Sequence, residues 1–141
     1  MIVLDTNVLS ELMRPRPSSQ VVRWVGDQPT AELFTTAITE AEIFYGIELL
    51  PKGKRRDGLL AAAEAMFVED FAGRILAFDS QAARVFSRIA SERRDLGKPI
   101  TQADAQIGSI VQLHKATLAT RNVGDFANCG IRLINPWEAL P

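Results

Sequence analysis

Short apolar runs alternate along the chain with longer stretches in which apolar residues recur every three or four positions, the spacing of one helix face. The apolar runs predict strands at residues 2–4, 33–36, 74–78, 116–120 and 131–134. The periodic stretches predict helices over residues 6–13, 18–26, 39–50, 55–70, 79–96 and 101–114. Strands that alternate with helices indicate a parallel sheet covered on both faces. We therefore expect an α/β protein with a three-layer α/β/α fold and a parallel sheet of four to five strands, in one domain spanning residues 1–141.

Residues that cap or interrupt helices support these boundaries. Thr6, Thr39 and Thr101 precede helical patterns and can accept a hydrogen bond from a free amide of the first turn. Pro15 ends the first helix because proline has no amide hydrogen to donate. Gly97 fits the left-handed position that follows many helices.

Composition and charge narrow the class of protein. The 141 residues carry a net charge of −1, which argues against a generally basic nucleic-acid-binding protein but permits local basic patches. Cys129 is the only cysteine, which excludes an internal disulfide and a cysteine-based zinc site, and the lone His114 fits a packed or surface residue. No apolar stretch is long enough for a membrane span, and the amino terminus lacks a signal-peptide pattern. These features favour a cytoplasmic protein.

Four acidic residues, widely separated in the sequence, either follow apolar runs or begin helices. Asp5 comes directly after the first predicted strand, and Glu42 follows the second by one helical turn. Asp104 lies in the first turn of the helix that precedes the fourth strand, and Asp125 follows that strand. Ligands of open α/β sheets bind at the carboxyl ends of the strands, so we expect these acids to form one anionic pocket. Such a pocket needs a positive occupant, and carboxylates suit Mg²⁺ or Mn²⁺.

Helix capping is the simpler explanation for each acid taken alone. Glu42 and Asp104 lie three residues after threonines, which is the spacing of a capping box, and Asp125 lies three residues after Asn122. Asp5 fits a carboxylate at the positive end of a helix dipole. The joint placement at strand ends favours a shared site, because small polar residues able to orient carboxylates or metal-bound waters accompany the acids there. These residues are Thr6, Asn7, Thr36, Thr120 and Asn122.

Five segments, in order along the chain, carry a resemblance to a known family. They are LDTNVLSEL from residue 4, TEAEIFYGIELL from residue 39, TQADAQIGSI from residue 101, LATRNVGDF from residue 118 and INPWEAL from residue 134. Their order and spacing resemble the motifs of PIN-domain ribonucleases, with the closest match to the FitB/VapC-type toxins of type II toxin–antitoxin systems. The resemblance covers essentially the whole chain.

The resemblance assigns roles to individual residues. The residues that match the metal-binding and catalytic quartet of the family are Asp5, Glu42, Asp104 and Asp125. Supporting polar positions are matched by Thr6, Asn7, Thr120 and Asn122. In the TEAE segment Glu42 is the match rather than Glu40, because the family pattern places its glutamate four residues before a glycine, here Gly46.

The resemblance also implies an activity and partners. It implies a Mg²⁺- or Mn²⁺-dependent endoribonuclease, in which the metal lowers the pKa of a bound water and stabilises the attacking and leaving oxygens. It further implies a homodimer, and a cognate antitoxin whose segment covers the acidic pocket. Basic residues that could hold RNA phosphates are Arg14, Arg121, Lys52 and Lys54. The run from Lys52 to Arg56 equally fits a solvated loop and helix start.

A non-catalytic PIN-like module is the main alternative. Such a module would keep the fold and act through dimerisation and binding of a DNA-binding partner protein. All four acids are present, which favours catalysis, because a module without metal has no reason to keep carboxylates that repel one another. A haloacid-dehalogenase-like phosphotransferase is disfavoured, since it needs a second aspartate where this chain has Asn7. No glycine-rich phosphate-binding loop motif is present either.

Overall fold

Five parallel strands form the central sheet of the computed structural model, which describes residues 1–138. The strands are β1 (Ile2–Leu4), β2 (Leu33–Thr36), β3 (Ile75–Leu76), β4 (Thr117–Ala119) and β5 (Arg132–Ile134). Their spatial order is β3-β2-β1-β4-β5, and every neighbouring pair is parallel. The first strand of the chain therefore lies at the centre of the sheet, as its short and wholly apolar sequence predicts.

Helices connect the strands and cover both faces of the sheet. Within residues 1–138 they are α1 (Thr6–Leu12), α2 (Ser19–Gly26), α3 (Ala37–Glu48), α4 (Lys54–Ala65), α5 (Ser80–Asp95) and α6 (Gln102–Leu113). Short 3₁₀ turns occur at Thr30–Glu32 and Val123–Phe126, and a π-helical turn at Met66–Asp70 follows α4. None of the helices in this part of the chain is long and apolar enough to cross a membrane.

Two adjacent residues of β1 face opposite layers, because side chains alternate along a strand. Leu4 packs in one core with Leu9 of α1 and Ile43 of α3. Val3 packs in a second core with Ile107 of α6. Both strand residues are at most 1% exposed. The predicted three-layer α/β/α fold is confirmed, and the central strand is held from both sides.

Two predicted helix caps are wrong by one and three residues. The first helix is capped by Asp5 rather than Thr6, because the Asp5 side chain accepts a hydrogen bond from the Thr6 amide. The third helix is capped by Thr36, whose hydroxyl accepts from the amide of Thr39. The reason is that both helices begin directly at the end of a strand, so the strand's last residue or its successor takes the capping position. Asp79 and Thr101 do cap α5 and α6.

The edge strand β3 is shorter than its sequence predicts. Residues 74–78 read as a strand, but only Ile75 and Leu76 pair, opposite Thr35 and Thr36 of β2. An edge strand has one neighbour, and β2 itself ends at Thr36, so there is nothing for residues 77 and 78 to pair with. The helix predicted over residues 55–70 ends as an α-helix at Ala65 and continues as the π-turn, closed by a bond from the Phe71 amide to the Met66 carbonyl.

Candidate active site

Asp5 occupies the centre of the carboxyl edge of the sheet and is held by the residues around it. It follows β1 directly, and its amide donates to the Ala119 carbonyl of β4 over 3.0 Å. One carboxylate oxygen accepts from the Thr6 amide at 2.8 Å, and the other accepts from the Thr120 hydroxyl at 2.8 Å and the Asn7 side-chain amide at 3.5 Å. Asp5 is only 5% exposed. The carboxylate is thus both buried and fixed in orientation.

Burial makes the Asp5 carboxyl a weak acid for an aspartate. The pKa of Asp5 is raised from 3.8 to about 6, mainly by loss of hydration and to a smaller extent by the nearby charges of Asp104 and Glu42. The hydrogen bonds from Thr120 and Thr6 act in the opposite direction. The group is therefore mostly ionised at neutral pH, but it is energetically strained as an anion without a positive partner.

Glu42 joins this edge from the second turn of α3, six residues beyond the end of β2. The Thr6 hydroxyl donates to Glu42 Oε1 over 2.7 Å and lies 3.1 Å from the Thr39 hydroxyl. Thr39 is fully buried, whereas the Glu42 side chain is exposed. A single threonine after the central strand therefore orients the second acid towards Asp5.

Asp104 enters from the first turn of α6. Its amide donates to the Thr101 hydroxyl at 3.2 Å, so it also serves the predicted cap. Burial raises the pKa of Asp104, and the charges of Asp125 and Glu42 add to the increase, while a Thr101 hydrogen bond and the charge of Arg93 oppose it. The acids thus interact electrostatically across three separate elements of the fold.

Asp125 is the most peripheral of the four predicted acids. It lies in the 3₁₀ turn Val123–Phe126 after β4, and its side chain is exposed. The turn has no side-chain cap, so the capping interpretation of the Asn122–Asp125 spacing is wrong. The charge of Asp125 acts on Asp104, whose pKa it helps to raise. The backbone amide of Asn122 donates to the Thr120 hydroxyl at 3.1 Å.

The space in front of these residues is an open cleft of about 510 Å³, which we call the acidic cleft. Asp5, Glu42 and Asp104 line it together with Thr6, Asn7 and Asn122. Asp125 is not among the lining residues that are described. The arrangement brings three of the predicted acids and most of their predicted supporting residues to one surface.

Two arginines flank the acidic cleft. The Arg121 guanidinium lies 5.0 Å above the centre of the Trp137 ring, and its backbone amide donates to the Asn7 side-chain oxygen at 3.2 Å. Trp137 belongs to the INPWEAL segment, of which Ala139 and Leu140 lie outside the described residues. Arg14, which lies just beyond α1, also lines the cleft. Both arginines are exposed, so their charges are available to an anionic ligand.

Known proteins place this chain in a family. The PIN domain family model matches residues 2–130. The chain belongs to the PIN-domain family. It is 39% identical over 138 residues to Toxin FitB of Neisseria gonorrhoeae, spanning 98% of this chain and 99% of that protein. It is 38% identical, with the same coverage, to VapC ribonuclease Y4jK of Sinorhizobium fredii.

A solved structure supports the same relationship at the level of the fold. The crystal structure of FitAcB from Neisseria gonorrhoeae superposes with a TM-score of 0.92 at 39% identity, covering 99% of this chain and all of the other. The resemblance predicted from the five sequence segments is therefore confirmed, both for the family and for its FitB/VapC-type relatives.

The donor atoms of this PIN domain suit a hard divalent cation. Carboxylates, hydroxyls and amides are the ligands and supporting groups that Mg²⁺ and Mn²⁺ prefer. Within residues 1–138, no three acidic, histidine or cysteine side chains lie close enough to form a ready-made ligand cluster. Asp5, Glu42 and Asp104 instead share one cleft, and the charges of neighbouring acids help to raise the pKa of Asp5 and of Asp104, which is the repulsion that a bound cation relieves.

Glu11 is a cleft residue of this PIN domain that the sequence analysis missed. It is 7% exposed, accepts from the Ser18 amide at 2.8 Å and forms an ion pair with Arg14 at 3.3 Å. Its position four residues after Asn7 puts both on one face of α1, a signal that the sequence did contain. Because both its oxygens are engaged by the protein, Glu11 fixes Arg14 and the start of α2.

An apolar groove adjoins the acidic cleft. It has a volume of about 620 Å³ and runs between α1, α3 and α4. Its apolar lining residues are Met13, Ile43, Ile47, Leu50 and Leu59, and Thr6, Ser10, Arg14 and Glu42 belong to both surfaces. Lys54 also lines this groove, whereas Lys52 is exposed and lines neither surface among the described residues. Of the predicted basic set, the structure thus brings Arg14, Arg121 and Lys54 near the acids.

Proposed function

We propose that this protein is a Mg²⁺- or Mn²⁺-dependent endoribonuclease and the toxin of a toxin–antitoxin pair. The observation that carries the proposal is the buried Asp5 carboxylate, oriented by Thr120, Asn7 and the Thr6 amide at the edge where Glu42 and Asp104 converge. Such a costly arrangement of like charges suits a cation site better than a set of helix caps. Similarity to proteins named Toxin FitB and VapC ribonuclease supports the activity.

Asp5 and Asp104 are the principal proposed metal ligands, with Glu42 and Asp125 completing the site directly or through water. A bound divalent ion would supply an activated water and neutralise charge on the phosphate. Thr120 and Asn7 keep the Asp5 carboxylate in one orientation, Thr6 does the same for Glu42, and Asn122 fixes the Thr120 hydroxyl. These contacts preorganise the acids before any cation arrives.

RNA phosphates must approach a cleft that is itself negative. Arg14 and Arg121 line the cleft together with the acids, and both are exposed. We assign them to the RNA backbone, with Lys54 and Lys52 extending the basic surface away from the cleft. Such contacts attract and position RNA without reading its sequence.

The apolar groove is the surface that we assign to a cognate antitoxin. It shares Arg14 and Glu42 with the acidic cleft, so a segment lying in it would extend over the acids and block RNA. The solved relative FitAcB supports complex formation within the family. A homodimer is part of the same proposal. A non-catalytic PIN-like module would bind its partner in the groove and cleave no RNA. Measurements of metal binding and RNA cleavage therefore decide between a ribonuclease and such a module.

Mn²⁺ titration calorimetry and cleavage of single-stranded RNA test the proposal. Wild type is compared with Asp5→Asn, Asp104→Asn and the matched control Asp79→Asn, which changes an aspartate that caps α5 outside the cleft. Asparagine also caps helices, so the control keeps its structural role. We expect Mn²⁺ binding and cleavage in wild type and the control only. Equal Mn²⁺ affinity in all four folded proteins would overturn the proposed site.

A further inference from the structure

Arg93, in the last turn of α5, is a buried cation outside the acidic cleft. It is 5% exposed. None of the three ion pairs found among the described residues involves it. Burying a charge is costly unless its hydrogen-bonding groups are all occupied. The contacts of its guanidinium therefore define what the residue does.

The guanidinium binds backbone carbonyls of two segments. One leads towards α6, which carries Asp104, and the other is the turn that carries Asp125. Its Nε donates to the Lys98 carbonyl at 2.7 Å, and its Nη1 donates to the carbonyls of Asp125 at 2.9 Å and Ala127 at 2.8 Å. The Cys129 sulfur lies 3.6 Å from the same nitrogen. Lys98 precedes the segment that starts α6, and Asp125 is itself a proposed ligand. One planar group thus joins the approach to Asp104 with the turn that holds Asp125.

The turn Val123–Phe126 has few other restraints. It has no side-chain cap, and its own backbone bonds run from the amides of Asp125 and Ala127 to the carbonyls of Asn122 and Gly124. Phe126 is 1% exposed and anchors one side of the turn in the core. The carbonyls of Asp125 and Ala127 both depend on Arg93, so the backbone from which the Asp125 carboxylate projects is set by this contact.

We propose that Arg93 is a positioning residue for Asp125: its forked guanidinium fixes the 3₁₀ turn so that the Asp125 carboxylate can serve the proposed cation site. The inference rests on the proposed function, because Asp125 matters only if the site binds metal. A lysine in the same place would keep the charge but present a single point donor, which cannot bridge the three carbonyls at once. Arg93 is buried, so it has no part in contacting RNA.

A double-mutant cycle tests the inference by Mn²⁺ titration calorimetry on wild type, Arg93→Lys, Asp125→Asn and the double variant. We expect Arg93→Lys alone to weaken Mn²⁺ binding on the order of 10-fold, the range for groups that orient metal ligands. In the Asp125→Asn background the same change should alter the Kd by less than about 2-fold, because coupled residues are non-additive. Multiplied effects, or no effect of Arg93→Lys alone, would overturn the inference.

Two further readouts separate positioning from general stability. Arg93→Lys should lower kcat for RNA cleavage and leave KM unchanged. Val21→Ala, a buried change on α2 across the sheet, should lower the melting temperature and leave Mn²⁺ affinity unchanged. If Arg93→Lys does not fold, Arg93→Gln replaces it in the cycle. Failure of both to fold would overturn the inference, since the residue would then serve the fold alone.

Asp5→Asn in the same titrations distinguishes failure of the proposed function from failure of the proposed role of Arg93. Unchanged Mn²⁺ affinity in Asp5→Asn would overturn the proposed function and this inference with it. Lost affinity in Asp5→Asn, combined with additive effects of Arg93 and Asp125, would leave the proposed function standing and overturn the role of Arg93 alone.

Discussion

The hydroxyl of Thr120 donates a 2.8 Å hydrogen bond to Oδ2 of Asp5, a residue 115 positions earlier in the chain. The two meet because β1 and β4 are parallel neighbours, with Leu4 opposite Ala119, so the next residue of each strand reaches the same edge. The Thr120 oxygen also accepts from the Asn7 side chain at 3.3 Å and the Asn122 amide at 3.1 Å. One buried hydroxyl therefore connects the central acid with Asn7 of α1 and with Asn122 in the segment after β4.

Replacing Thr120 by valine should disrupt the site more than the fold. Valine has nearly the same shape, but the ionised Asp5 carboxylate would lose a donor, and the donors on Asn7 and Asn122 would lose an acceptor. We expect unfolding free energy to fall by about 1–3 kcal/mol, the usual cost of leaving buried polar groups unpaired. Mn²⁺ affinity should fall about 10-fold. Chemical denaturation and calorimetry measure the two effects.

Thr120→Ser is the matched control, because serine keeps the hydroxyl and loses only a methyl group. It should retain Mn²⁺ affinity within a factor of about 2, while losing some packing energy. A serine variant as weak in metal binding as the valine variant would show that packing, and not the hydroxyl, orients Asp5.

Removing the charge of Asp5 should stabilise the metal-free protein at neutral pH. The folded state holds this carboxyl at a pKa of about 6, against 3.8 for an unperturbed aspartate, so folding works against ionisation. A difference of about two pKa units corresponds to about 3 kcal/mol at pH 7, as an upper estimate. Asp5→Asn retains a cap for α1 and avoids this cost. Its melting temperature without metal should exceed that of wild type.

The difference in stability between Asp5→Asn and wild type should depend on pH. Between pH 3.8 and about 6 the folded wild type binds more protons than the unfolded chain, so its stability rises as pH falls through this window. The advantage of Asp5→Asn should therefore be largest above pH 6 and shrink towards pH 4. An advantage that stays constant from pH 7.5 to pH 4 would contradict the raised pKa of Asp5.

The sequence was sufficient for the layers of this fold and for the edge where the site lies. Strand and helix periodicities, together with the wholly apolar β1, predict a parallel sheet with Asp5 at its centre. The convergence of Asp5 and Asp104 follows from topology, because the parallel strands end at one edge and α6, which leads back into β4, begins at that edge. The identity of the caps at Asp5 and Thr36 did not follow, because several polar residues in a row can each serve as a cap.

Long-range contacts explain the remaining differences between sequence and structure. Glu11 and Arg93 look like surface residues in helical patterns, yet Glu11 is buried by its bond to Ser18 and Arg93 by its bonds to distant carbonyls. Helical spacing from Asn7 places Glu11 on the cleft face of α1. Its bond to Ser18 and the bonds of Arg93, however, depend on where a loop returns after a turn, and local periodicity carries no information about that. The peripheral position of Asp125 likewise depends on the path of its 3₁₀ turn. Its spacing from Asn122 alone predicts a helix cap instead.

Metal affinity should depend on pH through Asp5. A ligand must be deprotonated to bind a cation, so protonation of a carboxyl with a pKa of about 6 competes with Mn²⁺. Above pH 7 the affinity should be nearly constant, and at pH 5 it should be roughly 10-fold lower. Calorimetry in two buffers with different ionisation enthalpies at pH 6 should also detect proton release on binding. An affinity unchanged between pH 7 and pH 5 would remove Asp5 from the ligand set.

Arg121 should attract RNA without taking part in the arrangement of the acids. Its exposed guanidinium rests on Trp137, and only its backbone amide contacts the site, at Asn7. Binding of single-stranded RNA by fluorescence anisotropy, in the Asp104→Asn background to prevent cleavage, measures its role. Arg121→Ala should weaken RNA binding several-fold and reduce the slope of log K against log salt by about 1.

Arg88→Ala is the matched control for this experiment, since Arg88 is an exposed arginine of α5 outside the acidic cleft. It should leave both the affinity and the salt slope close to those of the parent protein. If the two variants have equal slopes, Arg121 does not contact phosphate. Its charge would then offset the charges of the neighbouring carboxylates. In that case the increase in melting temperature caused by Mn²⁺ should be larger in Arg121→Ala than in the parent protein, because the ion would relieve a larger repulsion.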